Sequence, residues 1–89
     1  MLKVTRHARQ RAVSRLSMER SGVGKKLVWL HDSAKEVGPK RLPVWFRPKL
    51  FSPDTRFRMT NYAGREVVLV EASVADSLAI LTVVTKEDE

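Results

Sequence analysis

The chain contains no cysteine. That absence excludes a disulfide framework and a cysteine-built zinc cluster, and it fits a reducing compartment. Histidine occurs only at positions 7 and 31, without the His-x-x-x-His spacing of a helical metal site, so no metal is expected. Long apolar runs are missing as well. The longest are strand-length, which excludes a membrane-spanning helix, and the basic start has no stretch resembling a signal peptide. Paired catalytic acids, a phosphate-binding glycine loop and a serine triad are not evident either. The expectation is a cytoplasmic protein with no cofactor and no membrane partner.

Acidic residues are scarce where basic ones are dense. Residues 1–58 hold 15 Lys/Arg against 4 Asp/Glu, a balance of +11, while residues 59–89 hold 2 against 6, a balance of −4. The net charge of +7 is therefore concentrated in one part of the chain, as on a polyanion-binding face, with nucleic acid the leading polyanion. A merely solvated basic surface is the plainer alternative. A membrane surface fits less well, because the basic first helix has few bulky apolar anchors opposite its charges.

With 89 residues, of which 43% are apolar, the chain can build one small domain around one core. Met1–Val4 alternates and reads as a short strand or lead-in. Thr5 is a candidate N-cap for a first helix from Arg6 to about Met18 or Glu19, with Ala8, Ala12, Val13 and Leu16 on its apolar side. Ser21-Gly22-Val23-Gly24 breaks that helix. A second is expected from Lys25 to about Glu36, burying Leu27, Leu30, Ala34 and part of Trp29, and ending at Gly38-Pro39.

All four prolines fall within the irregular segment 38–55, which excludes a regular helix or central strand there. Val44, Trp45, Phe46, Leu50 and Phe51 alternate in it with Lys40, Arg41, Arg47 and Lys49. One reading is a loop that stacks on bases and holds a phosphate backbone; the other is that its aromatics complete the core. Strands are expected at Arg56–Tyr62, with Phe57 and Met59 inward and Arg56, Arg58 and Thr60 outward, at Val67–Val70, and at Leu78–Thr85, before a short acidic tail at 86–89. The predicted fold is α+β: two N-terminal helices packed on a three- to four-stranded antiparallel sheet.

The most compact chemical feature is the spacing of His7, Arg11 and Arg15. Residues four apart on a helix advance by only ~40°, so the three form one stripe. An imidazole, which titrates near neutral pH, then stands beside two permanently charged guanidiniums with planar forks of donors. His31-Asp32 is a weaker pair, because neighbouring helix residues diverge by ~100°.

This arrangement resembles a family. His7-Ala8 with Arg11 and Arg15, followed by a second helix and a last strand Ile80-Leu81-Thr82-Val83-Val84, is similar to the small domains of the RelE, BrnT and colicin-type ribonucleases, the barnase-like superfamily. Relatives usually carry a glycine and a β-branched residue where this chain has Leu16-Ser17, and the proline-rich segment is longer than is usual for them. The resemblance implies metal-independent endoribonuclease activity, a toxin role under a protein antidote, and an origin on mobile elements. It also implies a last strand in which a threonine, here Thr82, faces the active site.

Metal-free RNA cleavage by 2′-OH attack needs a base, an acid and cations around the phosphorane. His7 is the candidate acid or base. Arg11 and Arg15 would clamp the phosphate, with Arg6, Arg47 and Arg58 as further nucleic-acid contacts. Thr82 would donate to a nonbridging oxygen, and Tyr62 would orient or stack on a base. Two other classes use the same residues differently. A non-catalytic nucleic-acid-binding protein would use the basic face without forming product, and a phage or mobile-element inhibitor would bind a host protein through Trp45 and Phe46.

Overall fold

Strand β1 (Leu2–Val4) leads directly into helix α1 (Arg6–Leu16), and a short connection leads to helix α2 (Val23–Ser33). Strand β2 (Lys35–Val37) and a 3-10 turn (Pro39–Arg41) follow, and the chain ends in β3 (Thr55–Tyr62), β4 (Arg65–Val74) and β5 (Ser77–Thr85). The structure is a computed structural model that describes residues 2–46, 55–74 and 76–85.

Thr5 starts α1 as its spacing predicts. Its side-chain oxygen accepts from the Ala8 N–H at 3.1 Å, and its hydroxyl donates to the Ile80 carbonyl at 2.9 Å, so one side chain caps the helix and ties it to β5. The helix stops at Leu16, short of the expected Met18. Ser17 enters the left-handed region at φ 55°, and the N–H groups of Ser17 and Met18 both turn back to the Ala12 carbonyl. That turn buries Met18 against the helices.

Helix α2 also ends before its expected limit. Ala34 is extended, and Lys35–Val37 pairs antiparallel with Phe57–Met59 instead of continuing the helix. Ladder bonds to β3 replace the helical turn that the polar-apolar pattern suggested. The single sheet has the order β1-β5-β4-β3-β2, with β1 parallel to β5 and the other neighbours antiparallel. The α+β class and N-terminal helices are as expected, but the sheet has five strands and is mixed. Of the two additional strands, β1 falls where the alternation of Met1–Val4 suggested a short strand or lead-in, whereas β2 replaces the expected end of the second helix.

Both faces of the sheet are covered. On one, Val67, Leu69, Ile80 and Val83 pack with Ala8, Ala12, Leu16, Leu27 and Leu30 of the helices. On the other, Phe57, Val68 and Val70 pack beneath Leu42, Trp45 and Phe46. Residues 42–46 of the proline-rich segment thus close the back of the sheet, which explains why Val67–Val70 is apolar on both sides.

A bulge interrupts the β4–β5 ladder. Val70 opposes Thr82 and Glu71 opposes Ile80, so Leu81 has no partner. Residues two apart on a strand ordinarily share a face. Here the extra residue rotates Ile80 toward the helices and Thr82 toward the back, beside Val70.

Candidate nucleic-acid interface

Helix α1 presents two functional flanks. On one, the Arg11 Nε donates to the His7 Nε2 at 3.3 Å, which joins the first two residues of the predicted stripe at the surface. An Nε2 that accepts this bond is unprotonated, so a neutral ring carries its proton on Nδ1. Arg15 continues the stripe but turns inward, donating from Nη1 to the Val83 carbonyl at 2.8 Å. It anchors the end of the helix to β5.

The other flank faces α2. Two residues along a helix rotate by about 200°, so Arg9 stands on the side opposite His7. Arg6, Arg9 and Arg20, with Gln10, Val13 and Ser14, line an open groove on this side. A second groove opens between β1 and α2, lined by Lys3, Lys25 and Arg9 over an apolar floor of Leu2, Val4 and Val28. Arg9 belongs to both, and its guanidinium lies over Gly24, within 3.8 Å of where a side chain at that glycine would begin. Among the described residues, no carboxylate lines either groove. Cations gathered without acids repel one another and leave their field directed at solvent.

The remaining predicted residues do not converge on His7. Thr82 lies on the back of the sheet because of the bulge, so the triad of His7, Arg11 and Thr82 is not assembled. Arg58 faces the helices rather than solvent. Its Nε donates to Glu71 Oε1 at 2.8 Å, and its Nη2 lies 3.8 Å from Glu36, so the guanidinium belongs to an internal network. Tyr62 is half-buried: Lys26 lies over its ring at 5.7 Å and donates to its hydroxyl at 3.4 Å. Arg47 lies outside the described residues, as does the tail 86–89.

Trp45 and Phe46 are occupied within the fold. The Trp45 indole N–H donates to Glu66 at 2.6 Å, and Phe46 meets Phe57 edge-on at 5.9 Å between ring centres. The core-completing reading of these aromatics therefore holds, and no strand forms at Val44–Phe46.

Three features escaped the sequence reading. Glu71, with 0% of its surface exposed, receives Arg58 on one oxygen and the His31 Nε2 on the other. A carboxylate directly after an apolar run reads as a strand end, so its burial left no local signal. The grooves around Arg9 were hidden because they depend on how α1, α2 and β1 pack. Trp29, expected to be partly buried, keeps 61% of its surface exposed, more than the helix pattern alone indicates. Among the described residues, no group of histidine, aspartate and glutamate side chains could hold a metal ion, and no helix is long and apolar enough to cross a membrane. The chain matches no family model, no curated protein and no solved structure.

Proposed function

We propose that the protein binds RNA, with the phosphate backbone running along the two grooves that meet at Arg9. The carrying observation is the set of Lys3, Arg6, Arg9, Arg20 and Lys25 around grooves that, among the described residues, no carboxylate lines. Each phosphate held by such a cation releases a counterion, so affinity falls with salt. The preference for RNA over other polyanions rests on the likeness of the first helix to the RelE/BrnT-type ribonucleases, and the toxin role under a protein antidote rests on that likeness alone.

Fluorescence anisotropy with a labelled RNA, repeated from low to high salt, tests the reading. Five phosphate contacts give a slope of log K against log[salt] near −3.5 for a single strand. Arg9→Ala should weaken binding and flatten the slope by about 0.7. A wild-type protein that binds no RNA at low salt, or an unchanged slope in the variant, overturns it.

The contact between His7 and Arg11 favours a second reading, cleavage by 2′-OH attack. When Arg11 turns from the imidazole to a phosphate, it frees the Nε2 lone pair to take the 2′-OH proton. The 2′-oxygen then bonds to phosphorus and the P–O5′ bond breaks. The imidazolium returns the proton to the 5′-oxygen, leaving a 2′,3′-cyclic phosphate and a 5′-hydroxyl. Incubation with total RNA in EDTA should yield cyclic-phosphate ends that are lost in His7→Ala. Binding without product in the wild type leaves the protein a binder alone.

A further inference from the structure

We propose that Trp29 is a base-stacking station, so that the RNA this protein takes is single-stranded. This deepens the RNA-binding reading and rests on it. The indole is 61% exposed on α2, and among the described residues its ring has no hydrogen-bond, aromatic or cationic partner. The other tryptophan, Trp45, packs on the sheet and satisfies its N–H on Glu66. Trp29 instead leaves most of its surface open to solvent.

Its neighbours account for both its exposure and its use. Lys25, four residues before it, Lys26, three before it, and Asp32, three after it, are its helical-surface neighbours. Lys26 is drawn away to the ring and hydroxyl of Tyr62, and Lys25 lines the groove shared with Arg9. Neither lysine is committed to the indole, which stands next to a cation of the phosphate-binding groove. A strand whose backbone follows Arg9 and Lys25 could turn one base out onto Trp29. Every base has a face to stack, whereas a duplex keeps its base faces covered by their neighbours. An acidic protein partner would satisfy the same cations and cover the indole with its own side chains, so it is the competing outcome of the test.

Anisotropy titrations of an unstructured oligouridylate, a duplex RNA of equal length and polyglutamate distinguish these cases, with wild type, Trp29→Phe, Trp29→Ala and Arg9→Ala compared. The single strand should bind more tightly than the duplex. Trp29→Ala should cost that preference about 5- to 150-fold in Kd without altering the salt slope, and Trp29→Phe should restore part of it. Urea unfolding should be nearly alike in wild type and Trp29→Ala, because the residue is 61% exposed. Equal affinity of wild type and Trp29→Ala for oligouridylate overturns the stacking role while leaving groove binding intact, provided that Arg9→Ala still weakens it. A loss in Trp29→Ala that is equally large for polyglutamate assigns the indole to a protein partner and also overturns the proposal. Absence of RNA binding by the wild type defeats the underlying reading itself.

Discussion

At position 71 a carboxylate with no exposed surface lies between a guanidinium and an imidazole. Each partner satisfies one of its oxygens, and Arg58 also donates to the Ala34 carbonyl at 3.4 Å, where α2 gives way to β2. The cluster therefore links α2, β3 and β4. Removing one member strands the others, and a broken buried pair costs about 3–5 kcal/mol. Glu71→Leu is expected to destabilise by that amount in urea unfolding. Adding Arg58→Met and His31→Phe should recover most of the loss, because an apolar replacement of the whole group leaves no buried charge behind. Recovery of nothing in the triple variant would show that packing, rather than the stranded charges, sets the cost.

The same residues show where local pattern stops being informative. Period-2 alternation correctly separated Arg58 from Phe57, but it could not say that the arginine's side of the strand is the one beneath the helices. Only the buried carboxylate across the sheet decides that. Thr82 was placed toward the site by the resemblance, and the unpaired Leu81, which no pattern in the strand signals, reverses the parity that would have put it there. His7 and Arg11 were legible because their contact lies within one helix, four residues apart.

Among the elements, the three long strands and the first helix could be read from periodicity and capping, and β1 as a short strand or lead-in, whereas β2 owes its state to the strand beside it. The β3–β4 turn shows how an element can form in spite of its sequence. Tyr62 pairs with Arg65, leaving Ala63 and Gly64 as a two-residue connection with φ of 53° and 78°. Both centres of such a turn need positive φ, and alanine pays a steric cost there that asparagine largely avoids. Ala63→Asn is expected to raise stability by about 0.5–1 kcal/mol, measured as a higher urea midpoint at unchanged m. An unaltered midpoint would mean that the left-handed conformation is not strained at this site.

Across the whole molecule, the sheet separates two kinds of aromatic residue. Trp45 shields the back of the sheet, and Trp29 projects from the helical layer on the front. Trp45→Ala should cost roughly 2 kcal/mol, less than the 3–5 kcal/mol typical of fully buried aromatics, and should leave nucleic-acid affinity of the folded protein unchanged. Trp29→Ala should show the converse, with stability within about 0.5 kcal/mol of wild type. Thermal unfolding and binding measured on the same preparations check both; coincident losses would contradict the division of labour. The acids of β4 add to this asymmetry, because Glu66 and Glu71 are engaged by Trp45, Arg58 and His31 and do not offset the groove cations.

Thr5 also bears on the order of events during synthesis. Its hydroxyl reaches a carbonyl 75 residues further along the chain, and among the described residues β1 pairs with β5 alone. At about 5–20 residues per second, a ribosome needs roughly 4–15 s to deliver that stretch. During this interval the first strand has no edge to join, and α1 keeps its local Ala8 cap without its tether to the sheet. Closure must therefore come late. Residues 2–16 are made well before the strand that locks them, so a nascent chain halted before Ile80 would keep α1 unsecured.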